Sequence, residues 1–410
     1  MGFFVYNIFN TIKLIEMKNC LSCSKKLNLL IDLGKHHYSN QFSKTKIQKK
    51  NKFDFKINFC KNCGLIQLAK QPKLSLLRSK YSNLKSLEPE NHLDNLLKEI
   101  LVLKILKKNS SILGLTYKDE SFIKRIKNKG YNNSKNLKNS DYRISEDYGV
   151  ETIQENFINN KLSIKKKYDL IVLRHILEHS FEPKKFFENV LKMLNNNALI
   201  VIEVPSSTKM IKNLNIQYFW EHHICYFDKN SIKHFMGQFN LDIIKIKKYN
   251  QSSEDNIVII AQFKKNFKRK IKQKKSTRDI KILINFNKKM KNRIRKINSF
   301  FVRLKKQKKV ISLLGVGHLG IKFLNFYNLN NSFNQIIDDN IKLLNLIIPG
   351  SKSKIVNSKK MKTSEICFSS LSDESEKKFF KKNFSLNKKM KIYPISNLIN
   401  NKILLNSIER

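Results

Sequence analysis

The densest concentration of reactive side chains is Tyr218-Phe-Trp-Glu-His-His-Ile-Cys-Tyr-Phe227, which gathers a carboxylate, two imidazoles and two tyrosines around the only tryptophan of 410 residues. Histidine titrates near neutral pH, so it can take a proton from a carbon that a neighbouring carbonyl has acidified, while a carboxylate orients the ring. His222 or His223 reads as the base and Glu221 as the orienting group. Tyr226 reads as a hydrogen-bond donor to a developing enolate oxygen. The plainer reading of the same residues is a histidine pair at the edge of a core, satisfied by backbone groups.

Six cysteines stand at 20, 23, 60, 63, 225 and 367, and four of them form two Cys-x-x-Cys pairs 36 residues apart. Each pair makes a tight turn that aims two thiolates at one point, so two pairs close a tetrahedral zinc site. With Cys20, Cys23, Cys60 and Cys63 as ligands no position stays open, and the zinc is structural. His36 and His37, between the pairs, read as bystanders.

The elements that position these groups follow from the pattern. FDFKINF before the second cysteine pair alternates like a short strand. From about residue 90 to 262, apolar strands such as YDLIVL and ALIVIEVP alternate with helical segments, the mark of a parallel sheet covered on both faces. Asp169 opens one such strand, which ends at Arg174 and His175, with Glu178 and His179 just beyond. Strand ends of a doubly wound sheet face a ligand crevice. Upstream, Ile112-Leu-Gly-Leu-Thr-Tyr-Lys-Asp-Glu120 keeps Gly114 and Asp119 in a glycine-loop frame. Thr116 and Glu120 replace further glycines, which narrows the approach to a ligand. Asp141 is the candidate acidic anchor after the next strand. Leu283, Phe286, Met290, Ile294, Ile297, Phe301 and Leu304 mark one face of a basic helix that reads as a packed linker. Finally Gly315-Val-Gly-His-Leu-Gly320 sits between a strand and a helix, with Asp338 eighteen residues on, a context that taken alone suggests NAD.

The fold class is therefore α/β, with two Rossmann-like doubly wound units behind a small four-cysteine zinc-binding module. The segments are 1–16 (an extension, expected to be disordered, with Met17 a candidate start), 17–85 (zinc module), 86–262 (first α/β domain), 263–309 (basic linker helix) and 310–410 (second Rossmann-like domain). The net charge is +49, yet only ten of the 81 basic residues are Arg, and Lys and Asn recur throughout. A nucleic-acid groove enriches Arg and clusters its charge, so this balance reads as compositional drift. No run of 18 apolar residues exists to span a membrane. MGFFVYNIFNTIKLIE lacks the basic start and cleavage site of a secretion signal, so a cytoplasmic protein is expected.

The order of elements through RHILEH to IEVP resembles the central sheet of class I S-adenosylmethionine methyltransferases, in which the segment after the RH strand lines the methionine end of the cofactor. The resemblance implies cofactor contacts from Gly114, Asp119, Arg174, His175 and Glu178. Taken together, Cys-x-x-Cys-Gly-Leu-Ile-Gln-Leu, RHILEH, EHHICYF, GVGHLG, IIDDN and PGSKSKIV resemble the sugar C-methyltransferases that act on nucleotide-linked 4-keto-deoxysugars, over about residues 17 to 400. That family implies a SAM-dependent methyltransferase core, a C-terminal C-methyltransferase domain and methyl transfer through an enolate. The base falls on His222 when the motif is registered on Glu221, and on His223 when it is registered on Tyr226. A lid tyrosine falls on Tyr81, with Asn83 where a second aromatic belongs. The C-terminal unit becomes a sugar-nucleotide cradle built from Gly315, Gly317, His318, Gly320, Asp338 and Lys342, the family lysine itself falling on Leu343. Two other classes remain: an NAD-dependent oxidoreductase acting on a keto-sugar, and a non-catalytic basic zinc protein on nucleic acid or a membrane surface.

Overall fold

The architecture comes from a computed structural model that describes residues 17–45, 51–77, 90–138, 149–159, 166–251, 254–265, 280–382 and 390–400. The 1–16 extension, Tyr81, Asn83 and Asp141 lie outside the described residues.

Three sheets organise the chain. In the first, β1 (Leu27–His37), β2 (Lys52–Cys60) and β3 (Ile66–Leu68) pair antiparallel. Side chains alternate across a strand, and in β2 Phe53, Phe55, Ile57 and Phe59 all turn inward. The second sheet contains β4 (Ile112–Gly114), β5 (Ser134–Asn136), β6 (Tyr168–Arg174) and β7 (Leu194–Pro205), all parallel. Leu170 to Leu173 are completely buried, as a strand covered on both faces requires. The short strand β8 (Cys225–Tyr226), part of the histidine segment, leaves this domain to pair with β3 of the zinc module. After β9 (Leu241–Tyr249), β10 (Asn256–Phe263) inserts antiparallel between β7 and β9, giving the order β5-β4-β6-β7-β10-β9.

The third sheet is wholly parallel, with β11 (Ile311–Leu314), β12 (Gln335–Ile337), β13 (Ile355–Val356), β14 (Ile366–Ser369) and β15 (Lys391–Pro394) in the order β13-β12-β11-β14-β15. The order reverses at β11, so the loop after β11 lies at the topological switch point where such sheets bind ligands. GVGHLG is that loop.

The linker helix spans Ile280–Lys306. Its expected apolar face is buried except at Ile294, which is half-buried, and Phe300 is added to it. Phe286 meets Phe219 of the histidine segment at 6.4 Å, and Phe301 meets Phe323 and Phe368 of the third sheet's unit at 6.2 and 5.1 Å. The face that a bilayer would need is thus covered by both Rossmann-like units. Among the described residues no helix is long and apolar enough to cross a membrane.

Candidate metal centre and active site

The two cysteine turns share one geometry. Cys20 N–H donates to Lys25 O and Ser24 N–H returns to Cys20 O; Cys60 N–H donates to Leu65 O and Gly64 N–H returns to Cys60 O. Ser24 and Gly64 both adopt positive φ, +60° and +77°, which lets each turn close around its thiols. Cys20 Sγ lies 3.4 Å from Cys63 Sγ and Cys23 Sγ 3.4 Å from Cys60 Sγ, and all four sulfurs fall within 4.8 Å of one another. Sulfurs bound at about 2.3 Å around a tetrahedral zinc are spaced by about 3.8 Å, so the four residues fit the ion. Hydrogen bonding among the four sulfurs divides them, holding the Cys23 and Cys60 thiols down, Cys60 to about 7, and pushing Cys20 and Cys63 up, so that two thiols release their protons readily and two release them only to the ion. Ionised thiols are what a zinc site needs.

The strand ends of the second sheet converge on Arg174, a completely buried arginine. Its Nε meets Glu203 Oε2 and its Nη2 meets Glu90 Oε1, both at 2.6 Å, while Nη1 donates to Lys118 O. Glu203 also receives His92 Nε2 at 2.9 Å and Asn256 Nδ2 at 2.6 Å. Burial opposes its ionisation, but Arg174, His175 and His92 outweigh burial and hold Glu203 well below the usual carboxylate range. His175 sits at φ +50°, a strained conformation for a side chain with a Cβ. Its ring lies between Glu178 (3.5 Å) and Glu203 (3.3 Å). Burial disfavours the imidazolium, yet the two carboxylates raise it to about 9.

Asp119 is brought to the same edge, but its carboxylate is engaged within the loop: Oδ2 accepts from Leu115 N and Thr116 N, and Oδ1 accepts from Arg174 N. Burial pushes it up to about 7 against Arg174 and these N–H donors. Asp119 thus braces the loop that would receive the cofactor. Gly114 is needed there, because a Cβ would meet Asn136 Oδ1 at 2.0 Å and Asp119 Cβ at 2.7 Å. Asn136, at the tip of β5, stands where an acidic ribose anchor is expected. Its Nδ2 donates to Thr116 O, and its buried Oδ1 has no hydrogen-bond donor. A leftover acceptor in that place suits a ribose hydroxyl, so the site fits S-adenosylmethionine at this point.

The histidine segment lies beside these strand ends, tied to them by Ile224 N donating to Glu178 O at 2.7 Å. Trp220 is sandwiched between His222 (centroids 4.2 Å, 26°) and His318 of GVGHLG (4.3 Å, 17°). Its Nε1 donates to Ser39 Oγ of the zinc module at 2.8 Å. Glu221, completely buried, accepts from Ser39 N and Oγ and pairs with Lys322 Nζ at 2.6 Å. This carboxylate therefore fixes the loop rather than the imidazole plane. Tyr226 Oη donates to Trp220 O and accepts from Trp220 N, closing the same turn. His223 meets His179 edge-on at 4.6 Å. Burial, then His179 and His318, hold His223 well below the ordinary imidazole range, and burial with His222 takes His318 down to about 4.

In the third sheet's loop the glycines divide three tasks. Gly315 has φ +89° for the tight turn, Gly317 has nothing within 4 Å of an added Cβ, and Gly320 packs against Gly315 O, which a Cβ would meet at 2.5 Å. Gly317 thus opens an approach to the N-terminus of the helix His318–Phe326. Asp338 accepts from Val316 N and Asn340 N, so the carboxylate that would anchor a dinucleotide ribose is engaged by its own loops. Lys342 is exposed.

Residues that sequence reasoning passed over are Asn136, Glu90, His92, Glu203, Ser39 and Lys322. Lys322 gave a signal: it interrupts GIKFLNF, where every position is buried, and a lysine there requires an acid.

A doubly wound sheet with a buried polar network at its strand ends defines a cofactor-binding α/β enzyme. Residues 84–246 match the model of a methyltransferase domain, and residues 20–76 match that of a zinc binding domain. Residues 84–246 thus form a methyltransferase domain, and before it stands a zinc-binding domain whose four cysteines are placed to hold the metal. No curated protein matches it by sequence. Solved structures similar to part of it include an S-adenosylmethionine-dependent methyltransferase of Clostridium acetobutylicum (11% identity, 44% of this chain and 93% of that one, TM-score 0.31). Others are the N-methyltransferase NodS of Bradyrhizobium japonicum (13%, 43% and 99%, 0.26) and the magnesium protoporphyrin IX methyltransferase of Synechocystis with bound SAH (9%, 42% and 82%, 0.28).

Proposed function

We infer that the enzyme methylates a carbon next to the keto group of a nucleotide-linked 4-keto-deoxysugar. One observation carries the reading: the Trp220 to Tyr226 loop is held by all three folded units at once, through Ser39, Glu178 and the His318 and Lys322 side chains. A substrate with a sugar end and a nucleotide end needs such a seam, with the base at one side and the open helix N-terminus at Gly317 able to receive phosphate.

His222 is the base. His223 is the poorer choice, since a base held far below neutral pKa has little driving force for taking a carbon-bound proton. Trp220 fixes the His222 ring by stacking, and Glu221, anchored by Ser39 and Lys322, fixes the loop. S-adenosylmethionine, when bound, supplies an electrophilic methyl group on a sulfonium. Asn136, Gly114 and the Asp119-braced loop would hold it at the strand ends. His222 would take the α-proton and hold it until solvent collects it, leaving an enolate carbon as the nucleophile for the methyl that the sulfonium would supply, with the demethylated cofactor as the leaving group. The zinc site serves as scaffold, and the reading places the enzyme in the cytoplasm.

The test is mass spectrometry of a nucleotide 4-keto-deoxysugar incubated with enzyme and S-adenosylmethionine, with α-proton exchange in deuterium oxide as a second readout. One added methyl, together with exchange that His222→Gln abolishes, is the expected result. Neither a mass gain nor exchange with any such sugar removes the proposal.

A further inference from the structure

We propose that Glu178, His179 and His223 form a second metal site, distinct from the four cysteines, that takes a first-row divalent transition ion. Each residue offers one donor atom, and the three donors lie within 4.8 Å of one another. Two imidazoles with one carboxylate are a donor set suited to zinc, iron, cobalt or nickel, and three protein ligands leave coordination positions open for a further oxygen ligand.

The carboxylate supplies an independent observation. Glu178 is 1% exposed, and among the described residues neither of its oxygens accepts a hydrogen bond. Its ion-pair partner His175, with Nδ1 3.5 Å from Oε1, is shared with Glu203, and His179 Nε2 lies 4.0 Å from the same oxygen. Burying a carboxylate without donors is costly unless a charge is bound beside it. Three other buried acids of this region have partners: Glu203 in Arg174, His92 and Asn256, Glu221 in Ser39 and Lys322, and Asp119 in three backbone N–H groups.

The ligands are also held in place from two directions. Glu178 and His179 lie in one short turn, Leu177–His179, after β6. His223 comes from the histidine segment, and the Ile224 N to Glu178 O bond locks the two together. The rings of His179 and His223 stand perpendicular at 4.6 Å rather than stacking. Donors about 2.1 Å from one ion lie about 3.0–3.4 Å apart; rotation of the side chains closes the remaining gap. The site does not depend on what substrate the enzyme takes, although an ion here makes His223 a ligand and leaves His222 alone as the base.

Trp220 allows a direct test. It is the only tryptophan, and its ring lies 5.2 Å from that of His223 and 6.1 Å from that of His179. A paramagnetic ion bound between them quenches its emission. Zinc-loaded full-length protein is titrated with Ni2+, with zinc content measured before and after. The expected result is saturable quenching at one equivalent, unchanged four-cysteine zinc, and at least tenfold weaker binding in Glu178→Gln and in His223→Ala. Absence of quenching, or equal quenching in wild type and both variants, overturns the site. X-ray absorption at the zinc edge gives a reading free of variants: after loading with excess zinc, a mixed sulfur and nitrogen/oxygen shell supports the second site, and a sulfur-only shell refutes it. None of these outcomes requires turnover, so they stand apart from the sugar-methylation test.

Discussion

Replacing Lys322 by Met tests whether the histidine loop is truly held by the C-terminal unit. Lys322 and Glu221 are both fully buried and 2.6 Å apart. The ammonium also lies 4.1 Å from the centroid of the Phe55 ring and within reach of His37 O at 3.4 Å. One substitution therefore removes a charge that contacts the zinc module and the catalytic loop together. Glu221 keeps its two bonds from Ser39 but loses its only ion-pair partner among the described residues. Breaking one side of a buried pair costs about 3–5 kcal/mol, because the remaining charge stays buried. With an m-value of about 3 kcal/mol/M in urea, the unfolding transition reported by Trp220 should move down by about 1–1.7 M. Trp220 suits the measurement, since it is adjacent to Glu221 and bonded to Ser39. The double variant Glu221→Gln/Lys322→Met removes both charges, and its loss should fall short of the summed single losses by about 2 kcal/mol or more. A Lys322→Met shift below about 0.3 M, or single losses that simply add, would show that the pair is not the tie described here.

Further expectations concern other sites. Cys60→Ser, or a strong chelator, should release the zinc and also change Trp220 emission, because β3 of the zinc module pairs with β8 of the histidine segment; metal analysis with fluorescence checks both at once. Asn136→Ala should weaken S-adenosylmethionine binding about tenfold by calorimetry, the worth of one hydrogen bond to a buried acceptor. Asp119, raised to about 7 from 3.8, contributes stability that is fully present below pH 3.8 and lost progressively as pH rises to and through about 7. The advantage of wild type over Asp119→Asn in urea should therefore shrink across that window, and a constant difference would contradict the buried, proton-holding carboxyl. Gly317→Ala should fold normally, having open space for the methyl, whereas Gly320→Ala should lose about 1–3 kcal/mol by pressing on Gly315 O.

How much of this was readable beforehand depended on the range of the interaction. The cysteine turns are local, fixed by residues within five positions of one another, so spacing alone revealed the metal. The apolar strands and the glycine turn at Gly315 were equally local signals. The linker helix showed its face because a period of three and four survives even in a Lys-rich segment. What the sequence could not display were side chains satisfied from far away. Asp119 looked like a cofactor ligand because its loop frame was right, but its carboxylate turns inward to Arg174 N, 55 residues away. Asp338, likewise spaced for a ribose, binds Val316 N instead. Glu221 was read as the partner of a neighbouring imidazole, whereas its partners are Ser39 and Lys322, 182 residues before it and 101 after it.

The charge balance carries the same lesson in reverse. With 81 basic residues against 32 acidic ones, almost any exposed acid has a cation within reach, and such pairs contribute little. Lysines at the surface therefore say little about function. The informative acids are the few that are buried, because each must have been given a partner within the fold. Asp119, Glu203 and Glu221 have theirs, at the carboxyl ends of the second sheet or in the loop beside them. Glu178, equally buried and a few ångströms from two imidazoles, differs from these three in that its oxygens accept no hydrogen bond among the described residues. Its nearest cationic partner among the described residues is His175, a ring that Glu203 shares, so one imidazolium serves two buried carboxylates, and an ion held by Glu178, His179 and His223 would supply the second charge.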